Sequence, residues 1–208
     1  MYSGQFPGNK VGNNKNQAGL ILASSSPYRQ ELMARLKIPF LCQDPEIDET
    51  VLADEEATAL VVRLSELKAR KIAETHPAAI IIGSDQVACL NNHILTKPGG
   101  HDKARRQLEQ LSGQSVIFNT GLCVVNARSG SIQTGQVPFA VKFRELDADE
   151  IERYLTTEKP YDCAGSFKSE GLGISLLEEM TGDDPTALIG LPLIRLCVML
   201  RKEGVALP

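Results

Sequence analysis

Two continuous apolar runs, at 20–23 (LILA) and 79–82 (AIII), constrain this chain more than any other feature. Neither alternates polar with apolar residues as a half-exposed strand would, so both read as strands covered on two faces, the habit of α/β sheets. Between them, 56–75 spaces Leu60, Val61, Leu64, Leu67, Ala69 and Ile72 three and four apart. That period predicts an amphipathic helix laid against the sheet.

The first run ends in Ser24-Ser25-Ser26-Pro27, which predicts a helix over 27–37 with proline in its first turn. Residues 87–90 lead to Asn91-Asn92, a hairpin-turn signal. Helical patterns cover 101–111, 147–156 and 192–202. Long β-type stretches at 114–125 and 132–145 are joined by a turn at 127–131, and a further strand is expected near 172–178. The order is mixed rather than strictly βαβ, so the expected fold class is α/β with a substantial antiparallel part. Residues 1–18 are rich in Gly, Asn and Lys without a period, and they lack the apolar core of a signal peptide. They read as a flexible leader, leaving 19–208 as one continuous domain.

Charge and cysteine usage exclude several functions. Lysine plus arginine is 22 against 26 acidic residues, a net charge of −4, so a general nucleic-acid binder is disfavoured. An anionic ligand would have to meet a local cluster of cations. No apolar stretch is long enough for a membrane span. The five cysteines include no CxxC pair, which suits buried thiols in a reducing cytoplasm better than zinc sites or disulfides. The three histidines sit in polar, turn-like settings.

Chemistry can sit at five places. Ser24 to Arg29 offers hydroxyls, helix-start N–H groups and a guanidinium, a phosphate cradle that also has the look of an ordinary N-cap. Glu46, Asp48 and Glu49 offer hard oxygen ligands for a divalent cation, or else a solvated loop. Asp85 follows a buried run at the strand end, where open α/β sheets place ligand chemistry, and burial there demands a cation, metal or donors. Lys68 falls on the apolar stripe of its helix, snorkelling or pointing into a site, and Lys97 is held extended by Pro98. The small-residue stretch 163–171 suggests a tight loop, and Gly190-Leu191-Pro192 a structural helix junction. Residue by residue, these features reach a cytosolic α/β domain with a metal–phosphate site.

Taken in order, the segments SSSPYR (24–29), EIDE (46–49), LSELKA (64–69), IIGSDQV (81–87), TKP (96–98), NTG (119–121), CAGSFKSEG (163–171) and GLPL (190–193) carry a resemblance. From about Leu20 to Gly204 the chain resembles the Maf-like nucleoside triphosphate pyrophosphatases, and within them the branch acting on 7-methyl-GTP. The resemblance implies an elongated, twisted mixed sheet flanked by helices, with a cleft between two lobes. It also implies a cytoplasmic, often dimeric hydrolase that uses a divalent cation (Mg, Mn or Co) to convert a nucleoside triphosphate to monophosphate and pyrophosphate. Carried over, Asp85 matches the proton acceptor, and Ser24, Arg29, Lys68 and Lys97 match positions around the triphosphate. Glu49 and Asp85 match positions around the metal, so Asp85 carries two roles that one carboxylate does not easily fill in a single step. Tyr28, Gln86 and Glu170 match positions that separate substrate branches, and they depart from the arginine, threonine and glutamine typical of the branch acting on dTTP and UTP.

Those three residue types suit a methylated guanine. N7 methylation gives the purine positive character, which an aromatic face such as Tyr28 attracts by ~1–2 kcal/mol when desolvated. A Glu170 carboxylate can accept from guanine N1–H and the exocyclic amine, and Gln86 can add an amide contact. Two other readings stay open: a pyrophosphatase for other modified or canonical nucleotides, and a nucleotide-binding regulator of cell division. A purely structural interaction protein would leave the acid-and-lysine set without a purpose.

Overall fold

The computed structural model describes residues 19–91 and 93–208, so the expected leader at 1–18 and Asn92 of the expected turn lie outside the described residues. Seven strands form one mixed sheet: β1 (Leu20–Ala23), β2 (Phe40–Gln43), β3 (Ile80–Leu90), β4 (His93–Leu95), β5 (Ser115–Asn126), β6 (Ser131–Phe143) and β7 (Leu177–Thr181). The order is β2-β1-β3-β5-β6-β7, with β4 paired to β3. Among the described residues only the β1–β2 and β1–β3 pairs are parallel. Among the described residues six α-helices accompany it: α1 (Pro27–Ala34), α2 (Ala57–Ala73), α3 (His101–Leu111), α4 (Ala148–Glu158), α5 (Pro185–Ile189) and α6 (Leu193–Lys202).

Strand β3 organises the molecule. One edge pairs with β5 from Ile80 to Cys89. The other edge pairs with β1 only through Ile82 and with β4 only from Ala88 onward. Residues 83–87 therefore face a breach between β1 and β4. The chain leaves β1 at Ser24, whose N–H bonds Leu22 O at 2.9 Å in a tight turn that carries it away from the sheet.

Core packing flanks the breach. At the near end, alternate residues of β1, β3 and β5 (Leu22, Ile82, Leu122) pack on α1 and α6, while their neighbours (Ile21, Ile81, Cys123) pack on α2. At the far end Ala88, Phe118, Phe139 and Phe143 pack with α3 and α4. Full burial of each large side chain contributes roughly 1.5–3 kcal/mol, enough to fix both ends and leave the breach between them.

Helix ends obey local chemistry. Asp147 and Glu150 form a capping box at α4, and Lys159 closes that helix in the left-handed region. Two expectations need correction. The strand expected at 172–178 runs instead over Leu177–Thr181, preceded by a 3-10 turn at Leu172–Leu176. Leu172 N and Gly173 N are already taken by Glu158 Oε2 (2.8 Å) and Lys168 O (3.1 Å), so that backbone cannot enter a ladder. Helix α5 was not foreseen, although Asp184 as N-cap, Pro185 at the first position and Gly190 at the end are its ordinary signals.

Candidate functional site

The breach opens into a cleft of about 580 Å³ lined by Ser24, Tyr28, Arg29, Glu49, Lys68, Asp85, Gln86 and Lys97, among others. Eight of the nine residues that the resemblance assigns to the site thus share one cavity, Glu46 lines it as well, and Asp48 does not. Glu170 is exposed and does not line it, but its charge is felt by the Tyr28 phenol.

The centre is Lys68. Its Nζ lies 2.7 Å from Asp85 Oδ1 and 2.6 Å from Glu49 Oε1, with the Lys68 and Asp85 side chains only 7% and 10% exposed. The position follows from the helix. Lys68 shares the buried face of α2 with Leu64, Ser65 and Ile72, and two strand glycines, Gly83 and Gly121, let α2 rest directly on β3 and β5. A β-carbon at Gly121 would overlap Val61 O. Burial raises the Glu49 carboxyl, but the Lys68 hydrogen bond and the charges of Lys68, Lys97 and Arg29 outweigh it and hold the group below its usual range.

Arg29 enters from the first turn of α1. Ser26 caps that helix, accepting from Arg29 N at 3.4 Å. The guanidinium is anchored through Nε to Gly190 O at 2.8 Å, which fixes its plane and leaves its terminal nitrogens for a ligand. Burial lowers the Arg29 pKa, opposed by the negative charges of Asp85 and Glu49. Gly190 O also lies 2.9 Å from the buried Ser84 hydroxyl. The 190–192 junction therefore holds a cleft residue in place, a role that its sequence did not announce. Ser24 is buried and its Oγ accepts from Ser26 N at 3.1 Å, so it shapes the turn beside the cleft.

Gln86 is more committed than its sequence suggested. Its amide nitrogen contacts Thr120 Oγ1 (2.9 Å), Ala187 O (2.7 Å) and Leu188 O (3.1 Å), tying β3 to α5. Lys97 is exposed on the opposite rim, on a segment held by Gln107 Nε2 donating to Thr96 O at 2.8 Å. Tyr28 forms a wall, its hydroxyl donating to Asp162 Oδ2 at 3.4 Å. Burial, then Cys163 and nearby acids, raise its pKa, so the phenol stays neutral. The Cys163 thiol is pushed up to about 12, first by burial and then by Asp162, which removes it as a nucleophile.

The cleft carries three cations, Arg29, Lys68 and Lys97, against five carboxylates, Asp44, Glu46, Glu49, Asp85 and Asp162. An unaccompanied polyphosphate would meet an acidic excess of two charges, which one divalent cation would offset. Among the described residues no three His, Cys, Asp or Glu converge as a complete protein cage for a metal. The two carboxylates on Lys68 instead suit a Mg²⁺-type ion, which takes one or two carboxylates and completes its shell with water and substrate phosphates. Among the described residues no helix is long and apolar enough to cross a membrane.

Known proteins share this sequence closely. It is 58% identical to a Pseudomonas fluorescens protein (strain Pf-5) named 7-methyl-GTP pyrophosphatase, over 91% of this chain and 98% of that one. Proteins of the same name from Methylobacillus flagellatus and Nitrosococcus oceani are 56% and 55% identical, each over 89% of this chain and 97% and 93% of their own. Residues 19–203 match the family described as Maf-like protein, spanning every strand and helix that builds the cleft, and the chain belongs to that family.

Proposed function

We propose that this chain is a cytoplasmic nucleoside triphosphate pyrophosphatase that hydrolyses the α–β phosphoanhydride of 7-methyl-GTP, giving the monophosphate and pyrophosphate. The observation that carries the reading is the Asp85–Lys68–Glu49 arrangement at the breach of the sheet, in a chain 54–58% identical to proteins of that name. Glu49, with Asp85 nearby, would hold a divalent cation (Mg, Mn or Co), which when bound would supply positive charge to the phosphate oxygens.

The chain's own residues do the rest. Arg29 and Lys97 meet the outer phosphates, and Lys68 adds charge from below, stabilising the oxyanion that develops as the anhydride opens. Lys68 engages Asp85 through Oδ1, and among the described residues no protein group donates to Oδ2. That oxygen is the one to orient the attacking water and receive its proton. Tyr28 offers its ring to the cationic purine, and Glu170, carried on the loop beside Tyr28, accepts from its N1–H and amine. Gln86 contributes by holding α5 and the Gly190 carbonyl that anchors Arg29.

Pyrophosphate release from a panel of nucleoside triphosphates, with and without EDTA, tests this. The expected result is preference for 7-methyl-GTP and loss of turnover on chelation. Equal turnover of unmethylated nucleotides, or full activity in EDTA, would overturn the substrate or the metal reading respectively.

A further inference from the structure

The loop that carries Glu170 is tied at both ends to one carboxylate. Glu158, in the last turn of α4, accepts from Lys168 Nζ through Oε1 and from Leu172 N through Oε2, both at 2.8 Å. Its side chain is only 12% exposed, and a β-carbon on Gly171 would overlap its carboxylate, so the loop wraps closely over it. One helical turn earlier, Tyr154 OH accepts from Lys168 N at 3.1 Å. Lys168 Nζ also stands 5.7 Å from the Tyr28 ring centroid. A cation thus lies between the aromatic wall and the acidic loop, two residues from Glu170.

We propose that Glu158 is a positioning residue for base recognition: by holding Lys168 and Leu172 N it keeps Lys168 off Glu170 and leaves the Glu170 carboxylate free to read the purine. The inference rests on the 7-methyl-GTP reading and deepens it. Glu170 already bears electrostatically on Lys168, so an ammonium released from Glu158 has a ready partner there. Released, it would mask the acceptor for the guanine edge. It would also set an uncompensated positive charge beside Tyr28, where a positively charged 7-methylpurine must stack. Masking Glu170 weakens binding of any guanine, the charge beside Tyr28 weakens the methylated base alone, and both leave the phosphate chemistry around Asp85 untouched.

The test measures kcat and KM for 7-methyl-GTP and GTP in wild type, Glu158→Gln and Glu158→Gln/Lys168→Met. Glutamine keeps an oxygen for Leu172 N but cannot also hold the ammonium. In E158Q, KM should rise about threefold for GTP and about thirtyfold for 7-methyl-GTP with kcat within about twofold, so preference over GTP should fall about tenfold. Removing the freed ammonium in the double variant should restore that preference to within about threefold of wild type. Unchanged preference in E158Q, or a loss that the double variant fails to restore, overturns the inference. If E158Q does not fold, Lys168→Met is read alone, and a tenfold or greater loss of preference there overturns it. A wild-type enzyme with no preference for 7-methyl-GTP overturns the substrate reading and the inference with it, whereas a wild-type preference that survives E158Q overturns the inference alone.

Discussion

A β-carbon on Gly83 would overlap the backbone oxygen of Ser65, so β3 and α2 meet there backbone to backbone. Lys68 lies three residues beyond Ser65 and Asp85 two beyond Gly83, and this contact brings their charges together. Gly83→Ala should force the helix outward. Overpacking of this kind costs about 1–3 kcal/mol, read as a lower urea midpoint at unchanged slope, and turnover should fall because the ammonium leaves Asp85. A variant with wild-type midpoint and activity would show that the contact does not set the site.

The buried pair separates chemistry from stability. Asp85→Asn keeps an oxygen for Lys68 but cannot take a proton, so kcat should fall ~10²-fold or more with the fold retained. Lys68→Met leaves Asp85 buried without its cation and should cost about 3 kcal/mol in denaturation, along with activity. Near-wild-type turnover in Asp85→Asn would remove that residue from the mechanism.

Glu49 stands on a loop anchored by Arg63, whose Nε and Nη2 reach Glu55 at 2.6 and 2.7 Å and whose Nη2 also reaches Thr50 O at 3.1 Å. The Arg63 hydrogen bond is the largest influence on the Glu55 carboxyl, which is lowered from 4.5 to about 2. A carboxylate depressed in the folded state stabilises above its unfolded value, and the contribution fades as pH falls from 4.5 through about 2. Wild type should therefore lose more stability than Arg63→Met between pH 7 and pH 3, as measured by thermal melting. Parallel losses would refute the anchor. At pH 7 the same variant should raise KM by loosening the Glu49 loop.

Arg29→Lys preserves charge but gives up the bond from Nε to Gly190 O and the planar fork. We expect kcat/KM to fall about tenfold with little change in melting temperature, because orientation rather than charge is lost. Full activity in the lysine variant would mean that the Gly190 anchor is dispensable.

Much of the fold was legible because it rests on local pattern. The runs at 20–23 and 79–82, the period of 56–75 and the proline start of α1 each carry their own signal. The 172–178 assignment failed because Glu158 and Lys168 O, distant or non-helical partners, claim backbone that β-propensity alone would place in a strand. The candidate residues were legible by type, but Gln86 shows the limit. Its amide was available on paper, yet in the fold it is spent on Ala187 and Leu188, about a hundred positions away.

By itself, the sequence determined most of the strands and helices, and which side chains have the charge to meet a phosphate, since both depend largely on residues within a few positions of one another. Only tertiary structure decided that β1 pairing stops at Ile82 and β4 pairing begins at Ala88, leaving a gap with Asp85 inside it. It alone set Lys68 between Asp85 and Glu49 and tied Glu170's loop to Glu158. Such contacts join separate elements of the chain, and their geometry is fixed by packing and loop closure across the sheet, which local pattern does not contain.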